Sequence, residues 1–221
     1  MAKTITHDEA GNAKWGDKDH LKVAQSRSFS SLIFELLSEK VPTDSELKVF
    51  ELILNLSIDH GPETPSAIPV VEAAKAGKSI SEAVSAGIMQ INDTHGGAIE
   101  PAMEMLYECM KGNAKEVVGN FLKEEKKVPG FGHRIYKERD PRSDLIFDLL
   151  ENSTTADFLP VIHQIQGEIS LQTGKMLPIN IDGAIAVVLC TFGWPSKLGK
   201  AVFIIARTPG LCGQYLNSID N

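Results

Sequence analysis

The chain has 221 residues, 43% hydrophobic and 23% charged, which is ordinary usage for a globular protein and excludes disordered and fibrous classes. Its 22 basic and 29 acidic side chains leave a net charge of −7, which argues against nucleic-acid binding through a globally basic surface. No stretch reaches the roughly 18 apolar residues that a membrane helix needs.

The first ten residues lack an apolar core and do not read as a signal peptide. Three cysteines, Cys109, Cys190 and Cys212, show no CxxC or metal-ligand spacing. A soluble, cytoplasmic protein with reduced thiols is therefore expected.

In chain order, residues 1–20 are polar with little periodicity, and residues 1–27 are expected to form an N-terminal arm ahead of a main region, 28–221. From Ser28, the residues Phe29, Leu32, Ile33, Leu36 and Leu37 recur at helical spacing. Pro42 breaks the chain. Thr43 followed by Glu46 is a capping-box pair that should open a second helix, carrying Leu47, Phe50, Ile53 and Leu54 inward.

Ser79 and Glu82 repeat that pattern and open a helix towards Asn92. Residues 97–110 carry Ala98, Ala102, Met105, Leu106, Cys109 and Met110 on one stripe. Further helices are predicted at 114–126, 143–151, 156–172, 183–192 and 197–206. Strand-like alternation is absent apart from short stretches near Met176–Ile181. The expected fold class is all-α.

Four breaks between helices carry the reactive side chains: Asp59-His60-Gly61-Pro62, Asp93-Thr94-His95-Gly96-Gly97, Val128-Pro129-Gly130-Phe131-Gly132-His133-Arg134, and Pro178-Ile179-Asn180-Ile181-Asp182-Gly183. Rigid helices that hold exposed loop ends are the usual seat of catalytic groups. His60, His95 and His133 each lie close to glycine at a helix boundary, where a ligand can approach the backbone and free N–H groups attract anions. His7, His20 and His163 lack that setting. Asp182 can serve as an acid or as the cap of the helix that follows it.

No HxxxH, CxxC, GxSxG, Walker or GxGxxG pattern occurs. Metal centres, serine hydrolases and nucleotide redox cofactors are therefore not expected. Residues 123–142 hold seven basic and four acidic side chains, a local +3 in an acidic chain. Such a run is either a solvated surface or an anion site in which arginine forks grip carboxylates. Arg207, in VFIIARTPG, is flanked by five apolar residues, and a partly buried arginine there calls for a carboxylate partner.

These segments resemble a known family. VPGFGHRIYKERDPRS (128–143) resembles the active-site segment of the citrate synthase superfamily, and DTHGGAIEPAMEML (93–106) its second histidine motif. LSIDHGPETPSA (56–67) is similar to the first histidine loop, PINIDG (178–183) to the aspartate segment, and FIIARTPGLCGQYL (203–216) to the arginine helix. The five motifs keep their order over residues 30–216. The chain looks trimmed to the core, and its length and HGP loop are more similar to stand-alone citryl-CoA lyases and to the lyase module of ATP-citrate lyase.

The resemblance implies a helical citrate synthase-like fold and a homodimer or larger homo-oligomer, with helices such as 97–110 packed across the two-fold. Its substrates would be oxaloacetate, citrate and a coenzyme A thioester, with no metal. His133 and His60 would contact the oxaloacetate or citryl group, with His133 also exchanging the proton of the tertiary alcohol. His95 would stabilise the enol oxygen of acetyl-CoA, and Asp182 would move the proton at its methyl carbon. Arg134, Arg142 and Arg207 would bind carboxylates. Pro129, Gly130, Phe131, Gly132 and Lys137 would lie along coenzyme A.

Two departures bear on the activity. Citrate synthases usually carry a further arginine after the position of Arg207, and no basic residue follows it here. The lyase module of ATP-citrate lyase often lacks the histidine present at His95. Citryl-CoA lyase, citrate or 2-methylcitrate synthase, and a non-catalytic CoA-binding subunit are the readings the resemblance allows. Intact His60, His95, His133 and Asp182 argue against the last.

Overall fold

The computed structural model describes residues 4–92, 96–152 and 157–219, and the chain divides into two compact units, 1–51 and 52–221. Among the described residues there are eleven helices and one small antiparallel sheet. None of the helices is long and apolar enough to cross a membrane.

In the first unit, β1 (Ile5–His7), β2 (Ala13–Trp15) and β3 (Lys18–Asp19) form a three-stranded sheet in which Ile5 faces Trp15 and Lys14 faces Asp19. The Asp8 carboxylate accepts the backbone N–H groups of Ala10 and Asn12 and closes the first turn. This stretch reads in sequence as a polar arm because its strands are too short to show alternation. Trp15 is nevertheless buried, and His20 stacks near it.

Asp19 caps α1 (His20–Ser26) and Ser28 caps α2 (Phe29–Ser38), each accepting the backbone N–H three residues on. The inward face of α2 is rotated from the expected stripe. Phe34 and Glu35 are buried, whereas Phe29 is 77% exposed. Two partners outside the helix override the local periodicity: Phe50 meets Phe34 edge to face at 5.4 Å, and Arg27 pairs with the Glu35 carboxylate. The Thr43–Glu46 capping box forms as expected and opens α3 (Asp44–Ser57).

The second unit contains α4 (Ile68–Lys75), α5 (Ile80–Met89), α6 (Ile99–Cys109), α7 (Ala114–Lys123), α8 (Pro141–Glu151), α9 (Leu159–Thr173), α10 (Ile181–Thr191) and α11 (Leu198–Ile219). All eight residues from Gly183 to Cys190 are buried, so α10 is the core helix, packed on α6 and α8. The stripe of α6, with Ala102, Met105, Leu106 and Cys109, is buried within the single chain. Ser79 and Glu82 make the reciprocal cap of α5. Burial pushes the thiols of Cys109 and Cys190 up to about 11 and about 12, which leaves both inert as nucleophiles.

The expected helix 197–206 runs on through Pro209 to Ile219. A helix-interior proline removes one hydrogen bond and crowds the turn before it. Here α11 packs on α4 and α5, with Leu211 buried in a cluster with Ala67, Val70 and Ala83. Those contacts keep the last three turns helical against the local signal.

One backbone contact fixes the floor of the reactive region. A Cβ built on Gly183 would lie 2.5 Å from the Gly130 carbonyl oxygen, and one on Gly130 would lie 2.8 Å from the Gly183 Cα. Gly130 also has φ of +83°, a conformation that side chains resist. Gly183→Ala is expected to lose about 1–3 kcal/mol or more through overpacking, seen as a lower Tm. Gly167→Ala, in open space on α9, should gain a few tenths to about 1 kcal/mol from helix propensity in the same melt.

Candidate active site

Two of the predicted loops are joined into one body. The Gly132 N–H donates to the Pro178 carbonyl at 2.8 Å, and the Asn180 N–H donates to the Gly130 carbonyl at 3.0 Å. The Asn180 amide also reaches the Gly132 carbonyl at 2.9 Å. Its Oδ1 accepts the N–H groups of Asp182 and Gly183, each at 3.1 Å. Asn180 is therefore the cap of α10, and Asp182, the second residue of the helix, is not needed for that role. This removes the structural alternative for Asp182.

On the other side of the loop, His133 Nδ1 accepts two backbone N–H groups, from Ile135 and Tyr136, both at 3.0 Å. A nitrogen that accepts carries a lone pair, so in the neutral ring the hydrogen sits on Nε2. Desolvation and the charge of Arg142 hold the His133 pKa below its ordinary value, which favours that neutral ring. Arg142 Nη2 lies 3.3 Å from Nε2. Two donors are thus side by side without an acceptor between them, a natural place for a ligand oxygen.

Asp140 holds the arginine. Its carboxylate accepts Arg142 Nε at 3.0 Å and Nη2 at 2.8 Å, and also caps α8 through the Arg142 N–H. Asp140 is 1% exposed. Burial works against both charges, yet the paired hydrogen bonds win. The Asp140 carboxyl is held below the usual carboxylate range and the Arg142 guanidinium is pushed further up.

Arg142→Ala would strand the buried Asp140 charge and should cost about 3–5 kcal/mol of stability. Lys123→Ala, at a partly exposed position in the same basic segment, should leave the stability measured by thermal denaturation within about 0.5 kcal/mol of the parent's.

The third part comes from α11. Arg207, 5% exposed, donates Nε to the Ser57 carbonyl at 2.8 Å and lies over the Phe203 ring at 4.9 Å. Its Nη1 is buried with no hydrogen-bond partner. One and two turns on, Gly210 lets the helix touch the Ile58 backbone, and Gln214 donates to the Asp59 carboxylate at 3.0 Å. Asp59 also accepts the Gly61 N–H at 3.1 Å, so α11 anchors the loop that carries His60.

Electrostatics show that these parts face one another. Desolvation raises the Asp182 carboxyl to about 6 against the opposing charges of Arg142 and Arg207. His60, exposed at the rim, is held below its ordinary pKa by desolvation and by the same two arginines, with His133 adding to them. Both imidazoles are thus neutral near pH 7. Their contribution to stability is complete above their unfolded pKa near 6.5 and is lost as the pH falls towards their lowered folded values. The site combines two fixed cations, two neutral histidines and a carboxyl that titrates near neutrality.

His60, His133, Arg142, Asp182 and Arg207 are therefore brought together. His95 lies outside the described residues, but Gly96 beside it sits against the Phe203 ring that also carries Arg207. Arg134 and Lys137 are exposed, Phe131 is buried, and the backbone groups of Gly130 and Gly132 are largely taken up by residues 178–180.

The sequence reading misses Asp140, Asn180, Asp59 and Gln214. The first was open to detection, since Asp140 before Pro141 is a helix-start signal.

A family model described as citrate synthase, C-terminal domain, matches residues 4–221. The citrate synthase of Heyndrickxia coagulans is 29% identical over 203 residues, covering 89% of this chain and 54% of its own. A probable ATP-citrate synthase subunit 1 of Neurospora crassa is 32% identical over 194 residues, covering 79% of this chain and 29% of its own. The chain spans about half the length of these curated relatives, or less.

Among solved structures, citryl-CoA lyase from Hydrogenobacter thermophilus matches with a TM-score of 0.91 and 32% identity, over 99% of this chain and 86% of that one. ATP citrate lyase from Methanothrix soehngenii, in complex with citrate and coenzyme A, shares the fold with a TM-score of 0.85 at 22% identity, over 98% of this chain and 38% of that one. The helical fold and the order of its loop motifs agree with these matches: the chain belongs to the citrate synthase family.

Proposed function

We propose that the protein is a citryl-CoA lyase, cleaving citryl-CoA reversibly to acetyl-CoA and oxaloacetate through an acetyl-CoA enol or enolate. The observation that carries carbon–carbon chemistry in this reading is the Asp182 carboxyl, raised to about 6 by burial and facing the charges of Arg142 and Arg207. Exchange of a proton at a weakly acidic methyl carbon needs such a desolvated acid–base group. The likeness to the Hydrogenobacter citryl-CoA lyase, over 99% of this chain and 86% of that one, supports the direction.

In this reading Arg142 and Arg207 hold substrate carboxylates, with Arg134 at the exposed rim. His133 Nε2 and Arg142 Nη2 meet the hydroxyl or carbonyl oxygen of the citryl group. With Nδ1 occupied by two backbone donors, Nε2 is the nitrogen through which the alcohol proton passes. His95 supplies the donor for the thioester enol oxygen. His60 contacts the oxaloacetate end, while Pro129, Phe131 and Lys137 lie along coenzyme A. The enzyme acts in the cytoplasm as a homo-oligomer, a state consistent with exposed apolar side chains such as Leu171 and Met89.

A second reading, condensation and hydrolysis as in a citrate or 2-methylcitrate synthase, is favoured by His95 and by the 29% identity to a citrate synthase. A coupled assay for oxaloacetate distinguishes the two. Addition of citryl-CoA should release oxaloacetate in proportion to enzyme. Release of free coenzyme A without oxaloacetate would support the synthase.

A further inference from the structure

Tyr136 lies in the 128–143 motif but has none of the roles that the resemblance assigns, yet its ring lies beside both the His133 and the Arg142 donor. Its ring is stacked with the His133 imidazole at 4.7 Å between centroids and 28° between planes. The Arg142 guanidinium carbon lies 5.8 Å from the centre of the same ring. Its backbone N–H is one of the two donors to His133 Nδ1. We propose that Tyr136 is a positioning residue: its ring holds the imidazole plane so that Nδ1 faces the turn and Nε2–H, beside Arg142, faces the substrate.

The geometry makes the ring, rather than the hydroxyl, the working part. A histidine side chain flipped about its terminal torsion puts carbon where nitrogen had been, and that torsion is broad in the absence of packing. Two backbone donors at 3.0 Å reward one orientation only while the ring plane stays aligned with them. A stacked aromatic neighbour supplies that alignment, since offset stacking restricts the tilt of both rings. Asp140 fixes Arg142 from the other side through its two-pronged contact. The pair of donors is thus held by Asp140 at one end and by the Tyr136 ring at the other.

Tyr136→Ala isolates the ring, because alanine retains the backbone N–H that His133 accepts. Tyr136→Phe retains the stacking and removes the hydroxyl. The first measurement is the nitrogen spectrum of the 15N-histidine-labelled protein without ligand, with His133 assigned by its loss in His133→Gln. The parent and Tyr136→Phe should show His133 as a single Nε2–H tautomer, and Tyr136→Ala should show mixed or averaged tautomers. The second is steady-state kinetics with citryl-CoA. Tyr136→Ala should lose roughly 10- to 100-fold in kcat/KM, the scale of a misplaced reacting group, while Tyr136→Phe behaves as the parent.

The kinetic arm rests on the lyase reading, whereas the spectrum does not. An inactive parent with the expected tautomers therefore removes the lyase and leaves the positioning role standing. Unchanged tautomer and kinetics in Tyr136→Ala would overturn the proposal. Equal kinetic losses in Tyr136→Phe and Tyr136→Ala would also overturn it, by making the hydroxyl a direct participant.

Discussion

Replacing Asp182 with asparagine should lower turnover by roughly 10²–10⁴-fold and leave affinity for citrate or oxaloacetate near that of the parent. Asparagine keeps the shape but can neither hold nor release the proton at the methyl carbon. The helix cap is not disturbed, because Asn180 provides it. Stability should move the other way. The carboxyl titrates near 3.8 in the unfolded chain and at about 6 in the fold.

Between those values the folded state retains a proton that the unfolded state has lost, so stability falls as the pH rises. Above 6 the ionised group costs the fold up to about 3 kcal/mol. The Tm of Asp182→Asn should therefore exceed the parent's at about pH 7, and the gap should close below about pH 4. Near-normal turnover in the folded variant would remove Asp182 from the chemistry.

Arg207→Leu should act on binding. Removal of a buried charged partner of a substrate carboxylate costs about 2–5 kcal/mol, or roughly 30- to 5,000-fold in affinity. The guanidinium is nearly fully buried, donates a hydrogen bond of 2.8 Å from Nε to the Ser57 carbonyl, and has an unpartnered Nη1. Burial lowers its pKa, opposed by the negative charges of Asp59 and Asp182. A cation held in this way is poorly compensated until an anion arrives, and leucine of similar length relieves the burial cost. Titration calorimetry with citrate and oxaloacetate should thus show the loss, while the ligand-free Tm stays level or rises. A variant that binds citrate as tightly as the parent would take Arg207 out of the carboxylate site.

The two effects draw on different levels of the sequence. The motif order, the capping boxes at Thr43 and Ser79 and the apolar run of α10 are local signals, and the structure follows them. The candidate residues His60, His133, Arg142, Asp182 and Arg207, which the fold brings together, sit at helix boundaries or on an apolar stripe, and those positions drew attention to them in the sequence. The partners that hold them did not stand out.

Gln214 reaches Asp59 across 155 positions, and Asn180 ties two loops that are 48 positions apart. Such contacts exist only once the helices have packed. The same holds for Pro209, where a local break is overruled by the contacts of α11 with α4 and α5, and for α2, whose inward face follows Phe50 and Arg27 rather than its own period. The small sheet at residues 5–19 left no trace because strands of two or three residues carry too little pattern.

Cleavage of citryl-CoA in deuterium oxide, with the products weighed by mass spectrometry, tests the central claim most directly. Carbon–carbon cleavage through an acetyl-CoA enolate must place one solvent-derived hydrogen on the methyl carbon. Acetyl-CoA carrying one deuterium should therefore appear together with oxaloacetate, and Asp182→Asn should slow its formation. Free citrate and coenzyme A, with no deuterium gained at carbon, would show that the thioester is hydrolysed and would contradict the lyase.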